Sequence, residues 1–458
     1  MNFNMNGLIE KYNLPVPRYT SYPPANFFYE GYGEEELIHA IEASNRQEPA
    51  HLSFYIHLPY CNRMCHYCGC NAYPRTRSSS DIQYVQAVIR EVDMVCSHID
   101  SNRKIAQIHF GGGSPSSFDP DLIKAINEKL FSHFGTIDDP EIAIECHPGY
   151  MNESAYERLI DAGFNRMSLG IQDFDPAVMK ASNRLPSLLP MEELFPLLRE
   201  RKIHINLDFI YGLPLQTVES FTDTIARAIT LSPDRLVTFS YAHVPHLFPR
   251  QKLLERKGLP TEELKSRLYH AAQELLLQGG YKQIGIDHYV KEEDELYQAL
   301  ESSTLHRNFQ GYCTRRTTGQ VYAFGVTAIS QLTGAYAQNT KSIDEYLKTI
   351  HSGHLPVKKG YNLNRKEQVT REVITTLMCN GEIHWKELAG RLRIPREELQ
   401  TMTAFSEEKM RSFADDGLIF FDQDQIVMRE KGSPYVRNVA ASLDSLLLNS
   451  NKTFSKPI

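Results

Sequence analysis

Residues 51–70 read HLSFYIHLPYCNRMCHYCGC. The first nine form a β-rich, largely apolar run that stops at Pro59, and Cys61, Cys65, Cys68 and Cys70 follow within ten residues. Eight cysteines spread evenly over the chain would put about 0.2 in such a window, so the crowding has a chemical cause. The other four, Cys96, Cys146, Cys313 and Cys379, are scattered and read as small buried apolar residues. A strand that runs out into a thiol-bearing loop is the frame for everything downstream.

The same unit, a short β-rich run followed by an amphipathic stretch, recurs along the chain. Strand runs fall at 51–59, 105–111, 141–146, 166–172, 204–212 and 235–242, and helices are expected at 81–95, 120–134, 153–162, 191–199 and 217–231. Such alternation predicts an α/β fold with parallel strands joined by right-handed crossovers, either an open doubly wound sheet or part of a barrel. In both, ligands gather at the carboxyl ends of the strands. The cysteine loop leaves the first strand, Gly111 to Ser114 leave the second, and Glu145 closes the third, so all three converge on one mouth.

On either side of this unit, 51–360, the texture differs. Residues 1–50 form an irregular arm with two short helices, and the prolines of PRYTSYPP (17–24) prevent regular pairing. The arm is expected to drape over the main unit. Residues 361–458 read as helices at 366–378, 385–392 and 407–415, a strand pair near 418–428 and a last helix from about 435, an order that resembles a winged-helix module. That segment carries 14 basic and 14 acidic residues, whereas a DNA-binding face is distinctly basic. A structural or lid role is expected there, with no nucleic-acid partner.

Composition narrows the class. At 458 residues the chain exceeds what one core usually serves, and about two to three domains are expected. With 41% hydrophobic and 23% charged residues it can bury a sizeable core, and 49 basic against 56 acidic residues give a net charge of -7, which disfavours a polyanionic main partner. The amino terminus has no apolar run of secretion-signal length, and the most apolar runs, 321–329 and 418–421, fall far short of the roughly 20 residues needed to cross a bilayer. A reducing, cytoplasmic setting and no membrane partner are expected. Crowded thiols there read as metal ligands or redox groups, not as a disulfide.

Thiols spaced by four and three residues on a tight loop can hold three corners of a cubane iron–sulfur cluster. Structural zinc needs four closed ligands, usually as two separated pairs, and no partnering pair lies elsewhere. Cys65 and Cys68 also fit the C-x-x-C redox pattern. The cluster is the leading reading, with zinc and a redox pair as alternatives. Three protein ligands leave one iron open to a small chelating ligand.

Cys61, Cys65 and Cys68 also match the C-x3-C-x2-C signature of radical S-adenosylmethionine (SAM) enzymes, and the chain resembles that superfamily. The resemblance implies a partial (β/α)6 TIM-like barrel, a 4Fe-4S cluster on those three cysteines, and SAM chelated at the open iron and cleaved to a 5′-deoxyadenosyl radical. It extends further. PRYTSYP (17–23), YIHLP (55–59), CGCN (68–71), GGGSP (111–115), DFIYGLP (208–214) and HRNFQGY (306–312) look like the oxygen-independent coproporphyrinogen III oxidases, over nearly the whole chain. That family decarboxylates two propionates of coproporphyrinogen III to vinyl groups, giving protoporphyrinogen IX in heme and porphyrin biosynthesis, and uses two SAM molecules.

By position, the resemblance implies Tyr55, Gly112, Glu145 and Ile329 at the SAM on the cluster, and Tyr67, Gly113, Ser114, Gln172, Arg184, Asp208 and Ala242 at a second SAM. There Asp208 would hold the amino group and Arg184 the carboxylate. No catalytic residue is assigned. Cys70 is present in the family but is not a ligand, and His147 stands where the family more often has an acidic residue before proline; a structural role is expected for it. A tetracarboxylate substrate requires focused positive charge in an acidic protein, and Arg18, Arg166, Arg184 and Arg307 are the candidates for a bidentate grip. Tyr22, Tyr73 and Tyr241 are expected to pack rather than to line the substrate pocket. An electron donor for the cluster is implied and a monomer is expected. A heme chaperone and a radical methyltransferase are the alternatives on the same scaffold; Cys70, the arm and Arg184 speak against the chaperone.

Overall fold

In the computed structural model the described residues are 5–314, 319–452 and 454, so the outermost parts of the two terminal segments, 1–4 and 455–458, lie outside them. Six strands, β1 (Leu52–Leu58), β2 (Ile105–Gly112), β3 (Thr136–Cys146), β4 (Arg166–Gln172), β5 (His204–Tyr211) and β6 (Arg235–Ser240), pair in parallel in chain order. Between them run α1 (Ser78–Cys96), α2 (Pro120–His133), α3 (Glu153–Asp161), α4 (Met191–Glu200) and α5 (Val218–Leu231). Local chemistry sets their ends. Asp119 caps α2 by accepting from the Asp121 N–H ahead of Pro120, and Thr217 and Ser220 form a reciprocal box at the start of α5.

A doubly wound sheet reverses its strand order at a switch point. Here chain neighbours are spatial neighbours from β1 to β6, and β6 pairs with His288–Val290 instead of returning to β1. The sheet is therefore an open, partial barrel, which decides between the two arrangements that the alternation allowed.

The sheet also extends beyond six strands. Val321–Phe324 pairs in parallel with β1, and Ile329–Gln331, Ala335–Asn339, Val357–Asn362 and Tyr29–Glu30 continue it antiparallel. His288–Val290 and Lys282–Ile284 extend the opposite edge. At the carboxyl end, Glu382–His384 joins the expected pair Ile419–Phe421 and Gln425–Met428 in a three-stranded antiparallel sheet among helices. The arm does not simply drape over the barrel. Tyr12, Tyr19 and Tyr22 are buried in one core with Trp385, Met410 and Val439 of the carboxyl-terminal helices, while Leu37 and Ile41 join the barrel core. Among the described residues no helix is long and apolar enough to cross a membrane.

Candidate active site

Strand alternation sorts the barrel side chains into two sets. Phe54, Ile56, Ile108, Ile144, Leu169 and Leu207 bury in the core with Val88, Ile126, Leu159 and Ile225 of the helices. The intervening residues Tyr55, His109, Glu145, Ser168 and Asp208 line cavities on the other face. The polar set thus lies on the side the helices do not cover, at the carboxyl half of the strands.

Three adjoining cavities share Glu145. The smallest, about 160 Å³, is walled by Cys61, Cys65, Cys68 and Cys70 together with Tyr67, Gly112, Gly113, Ser114, Gln172, Arg184 and Asp208. A second, about 200 Å³, contains Tyr55, Glu145 and Ile329. The third, about 590 Å³, holds Tyr67, Gln172, Asp208 and Ala242. Every cluster cysteine and SAM-site residue expected from the sequence lines at least one of the three. Tyr55 and Ile329 stand apart from the thiols, and Ala242 meets only the large cavity.

The glycines of the second loop are forced by close approach. An added Cβ at Gly111 would lie 2.7 Å from Glu145 Oε1, one at Gly112 2.7 Å from the His57 ring, and one at Gly113 2.5 Å from the Pro59 carbonyl. Gly112 also has φ +117°, a region side chains rarely enter. Its N–H donates to Glu145 Oε2 at 3.4 Å. At the end of β4 the pairing register shifts and Gln172 adopts φ +74°, a bulge that re-aims a side chain at the mouth.

Charge is arranged around the thiols. Arg184 Nη1 donates to Cys65 Sγ at 3.6 Å and Nη2 to the Gly170 carbonyl, and its Nε is buried without a partner. A hydrogen bond from Cys70 holds the Cys68 thiol below its ordinary range, whereas burial pushes Cys61 up to about 12. Asp208 accepts from Ser168 Oγ at 2.7 Å, yet burial pushes its carboxyl up to about 6. His147 is buried against this wall, accepts the Gly149 N–H at its Nδ1, and is held neutral, down to about 3, by burial and by the nearby Arg184 and Arg63. Its observed bond is local, within its own turn.

Arg166 lines the large cavity, where it is committed to an ion pair: it donates from Nε to Glu141 at 2.8 Å and from Nη1 to Asn206 at 3.0 Å, and Arg235 shares Glu141. Arg307 sits over the Tyr312 ring at 4.8 Å, behind the wall that Tyr312 presents. Arg18 does line the large cavity. Sequence reasoning assigned nothing to His57, which bridges Tyr55 Oη (3.1 Å) and the Asn71 carbonyl (3.0 Å), nor to His109, Ser168 and His288. The signal for the first three was present, since each sits at an inward position of a barrel strand.

Among the described residues no three His, Cys, Asp or Glu side chains are arranged to hold a single metal ion. A cubane cluster asks for something different, soft thiolates at three corners and an open fourth. Three cysteines around one cavity, with the buried unpartnered Ser114 Oγ and Arg184 Nε on its walls, fit a cluster carrying a polar ligand.

Comparison with known proteins agrees. The model of the radical SAM superfamily matches residues 55–228, which gives the class: a protein that binds a 4Fe-4S cluster and SAM. Oxygen-independent coproporphyrinogen III oxidase from Helicobacter pylori J99 is 35% identical over 98% of both chains, and that from Pseudomonas aeruginosa is 36% identical over 98% of both. The solved structure of coproporphyrinogen III oxidase from Escherichia coli, a radical SAM enzyme, superposes with TM-score 0.85 at 33% identity, covering 94% of this chain and 97% of that one. The chain belongs to the family of oxygen-independent coproporphyrinogen III oxidases.

Proposed function

We propose that this protein decarboxylates two propionate side chains of coproporphyrinogen III to vinyl groups, yielding protoporphyrinogen IX. The observation that carries the reading is the meeting, at one barrel mouth, of three thiols with a 590 Å³ cavity whose wall carries Phe239, Tyr241, Phe248 and Arg18. The aromatic surface suits pyrrole faces and the cation suits carboxylates. When bound, the cluster and SAM supply a carbon-centred radical strong enough to take a hydrogen atom from a propionate β-carbon, which no side-chain base can deprotonate. Each vinyl group then forms with loss of carbon dioxide and of one electron to a one-electron acceptor, the hydrogen atom having gone to the radical.

Cys61, Cys65 and Cys68 would hold the cluster. Tyr55, Gly112, Glu145 and Ile329 would seat the SAM that is cleaved there: Gly112 allows backbone approach, the Glu145 carboxylate accepts hydroxyl or amino hydrogen bonds, and Ile329 offers an apolar face. Tyr67, Gly113, Ser114, Gln172, Arg184, Asp208 and Ala242 would seat a second SAM, with Arg184 and Asp208 at opposite charges of its amino-acid end. The two sets line adjoining cavities that meet at Glu145, with room on either side of it for both. Reduction calls for a one-electron donor. Anaerobic turnover with coproporphyrinogen III, SAM and a reductant tests the proposal by product mass. Loss of two carbon dioxide molecules and four hydrogens is expected; an added methyl group, or stoichiometric heme binding without turnover, would replace it.

A further inference from the structure

Asp287 and His288 stand where a short strand, His288–Val290, pairs antiparallel with β6. His288 is opposite Val237, and Val237 is opposite Asp208 on β5. The three form a row across adjacent strands, so at roughly 4.8 Å per strand His288 lies about 10 Å from Asp208. Both face the 590 Å³ cavity.

The imidazole is locked. Its Nδ1 bonds Asp287 Oδ1 at 2.7 Å, and its ring meets Tyr312 and Phe239 edge-on at centroid distances of 5.1 and 6.3 Å. An acceptor fixed at Nδ1 keeps the proton there and turns Nε2 outward. Nε2 makes no hydrogen bond among the described residues, and lies where a side chain at Gly311 would come within 3.3 Å. Arg18 lines the same cavity and makes no ion pair among the described residues. Burial alone would raise the Asp287 carboxyl, but the hydrogen bond and charge of His288, with Arg307 and Arg18, hold it below its ordinary range. One carboxylate is therefore shared by the His288 imidazole and two guanidinium groups, of which Arg18 lines the cavity.

We propose that His288, oriented by Asp287, and Arg18 bind the propionate carboxylates that point away from the thiols, so that the macrocycle is seated with its reacting propionate toward the thiol end of the cavity. This rests on the reaction proposed above. An imidazole held at Nδ1 by a carboxylate donates from Nε2 once that nitrogen also carries a proton, and a guanidinium can fork onto two oxygens, so the pair offers converging donors to an ionised carboxylate. The row geometry supplies the reach, since a substrate bearing carboxylates on opposite sides of a ring needs its anchor set back from the reacting end.

The test uses the reconstituted full-length enzyme and the variants His288→Phe, which keeps a ring against Tyr312 and Phe239, Asp287→Asn and the exposed Arg18→Gln. We expect KM for coproporphyrinogen III to rise tenfold or more in His288→Phe and Arg18→Gln, with a smaller change in kcat and with iron content and SAM affinity retained. A binding titration adds a readout that loss of structure would not imitate: the wild type should prefer the tetracarboxylate to its tetramethyl ester, and the variants should lose that preference. Arg18→Gln, being a surface change, keeps the test valid if His288→Phe does not fold. Unchanged KM and retained preference in the variants, with the wild type turning over, would overturn the positioning pair alone. Absence of wild-type turnover would overturn the parent reading as well.

Discussion

Gly112 and Glu141 show what single residues carry here. Gly112 combines a positive φ with a 2.7 Å approach to the His57 ring, so Gly112→Ala should lower stability by about 1–3 kcal/mol and weaken SAM binding, as read by denaturant unfolding and equilibrium titration. Glu141 is buried between Arg166 and Arg235. Glu141→Gln removes the ion-pair partner of Arg166, while Arg235 keeps Asp294 and Glu295, and should cost about 1–3 kcal/mol. In spite of burial, those arginines hold its carboxyl well below the carboxylate range. Its contribution is therefore complete above the unfolded value and is lost as pH falls below about 4; Glu141→Gln should flatten the acid limb of the stability profile. The sequence showed Arg166 but not this pairing, because its partner is 25 residues away and only the β3–β4 register brings them together. The site residues on strand ends were readable since alternation and the loop motifs place them; His288 was not, because a three-residue strand leaves too little pattern.

At the scale of elements, the six β/α units were legible from their periodicity, whereas the flanking strands were not. Those run two to six residues and owe their form to an open sheet edge rather than to their own sequence. One buried fastener joins the two parts. Glu91 of α1 accepts hydrogen bonds from Tyr346 Oη (2.6 Å), Asn339 Nδ2 (2.6 Å) and the Gly325 N–H (2.8 Å), tying that helix to the turn before Ile329. Burial pushes its carboxyl up to about 7 despite these donors. An acid with a raised folded value favours its neutral form in the fold, so this stability is present below the unfolded value, near 4.5, and is lost as pH rises through 7, about 3 kcal/mol in all. Unfolding at pH 5 and pH 8 should show that loss in the wild type and not in Glu91→Gln; equal slopes would sink the assignment. Another fastener is Gln251, whose Nε2 donates to the carbonyls of Tyr67 (2.9 Å) and Ala242 (3.2 Å). Gln251→Ala should loosen the cysteine loop and lower iron retention, measured as iron per chain after gel filtration.

Over the whole molecule, the amino-terminal arm and the carboxyl-terminal helices are one packing unit. Tyr22 is fully buried there, Tyr19 Oη donates to Asp444 at 3.0 Å, and Arg437 donates to the Pro17 carbonyl at 3.0 Å. Arg18 is carried into the large cavity between those anchored neighbours. Tyr22→Ala should destabilise by about 3–5 kcal/mol and also raise KM for substrate, because the arm that carries Arg18 loses its seat. This association of the two chain ends was invisible in the sequence, where the prolines of 17–24 announce irregular backbone but not what it packs against. The account stands on three thiols and a vacant iron corner, and its most direct measurement is metal and SAM chemistry on the same oxygen-free sample. Wild-type protein reconstituted with iron and sulfide should hold about four iron and four sulfide per chain and release 5′-deoxyadenosine from SAM on reduction, while Cys61→Ser, Cys65→Ser and Cys68→Ser keep the fold and do neither. Tightly held zinc in place of iron, or undiminished SAM cleavage in any of the three variants, would contradict it.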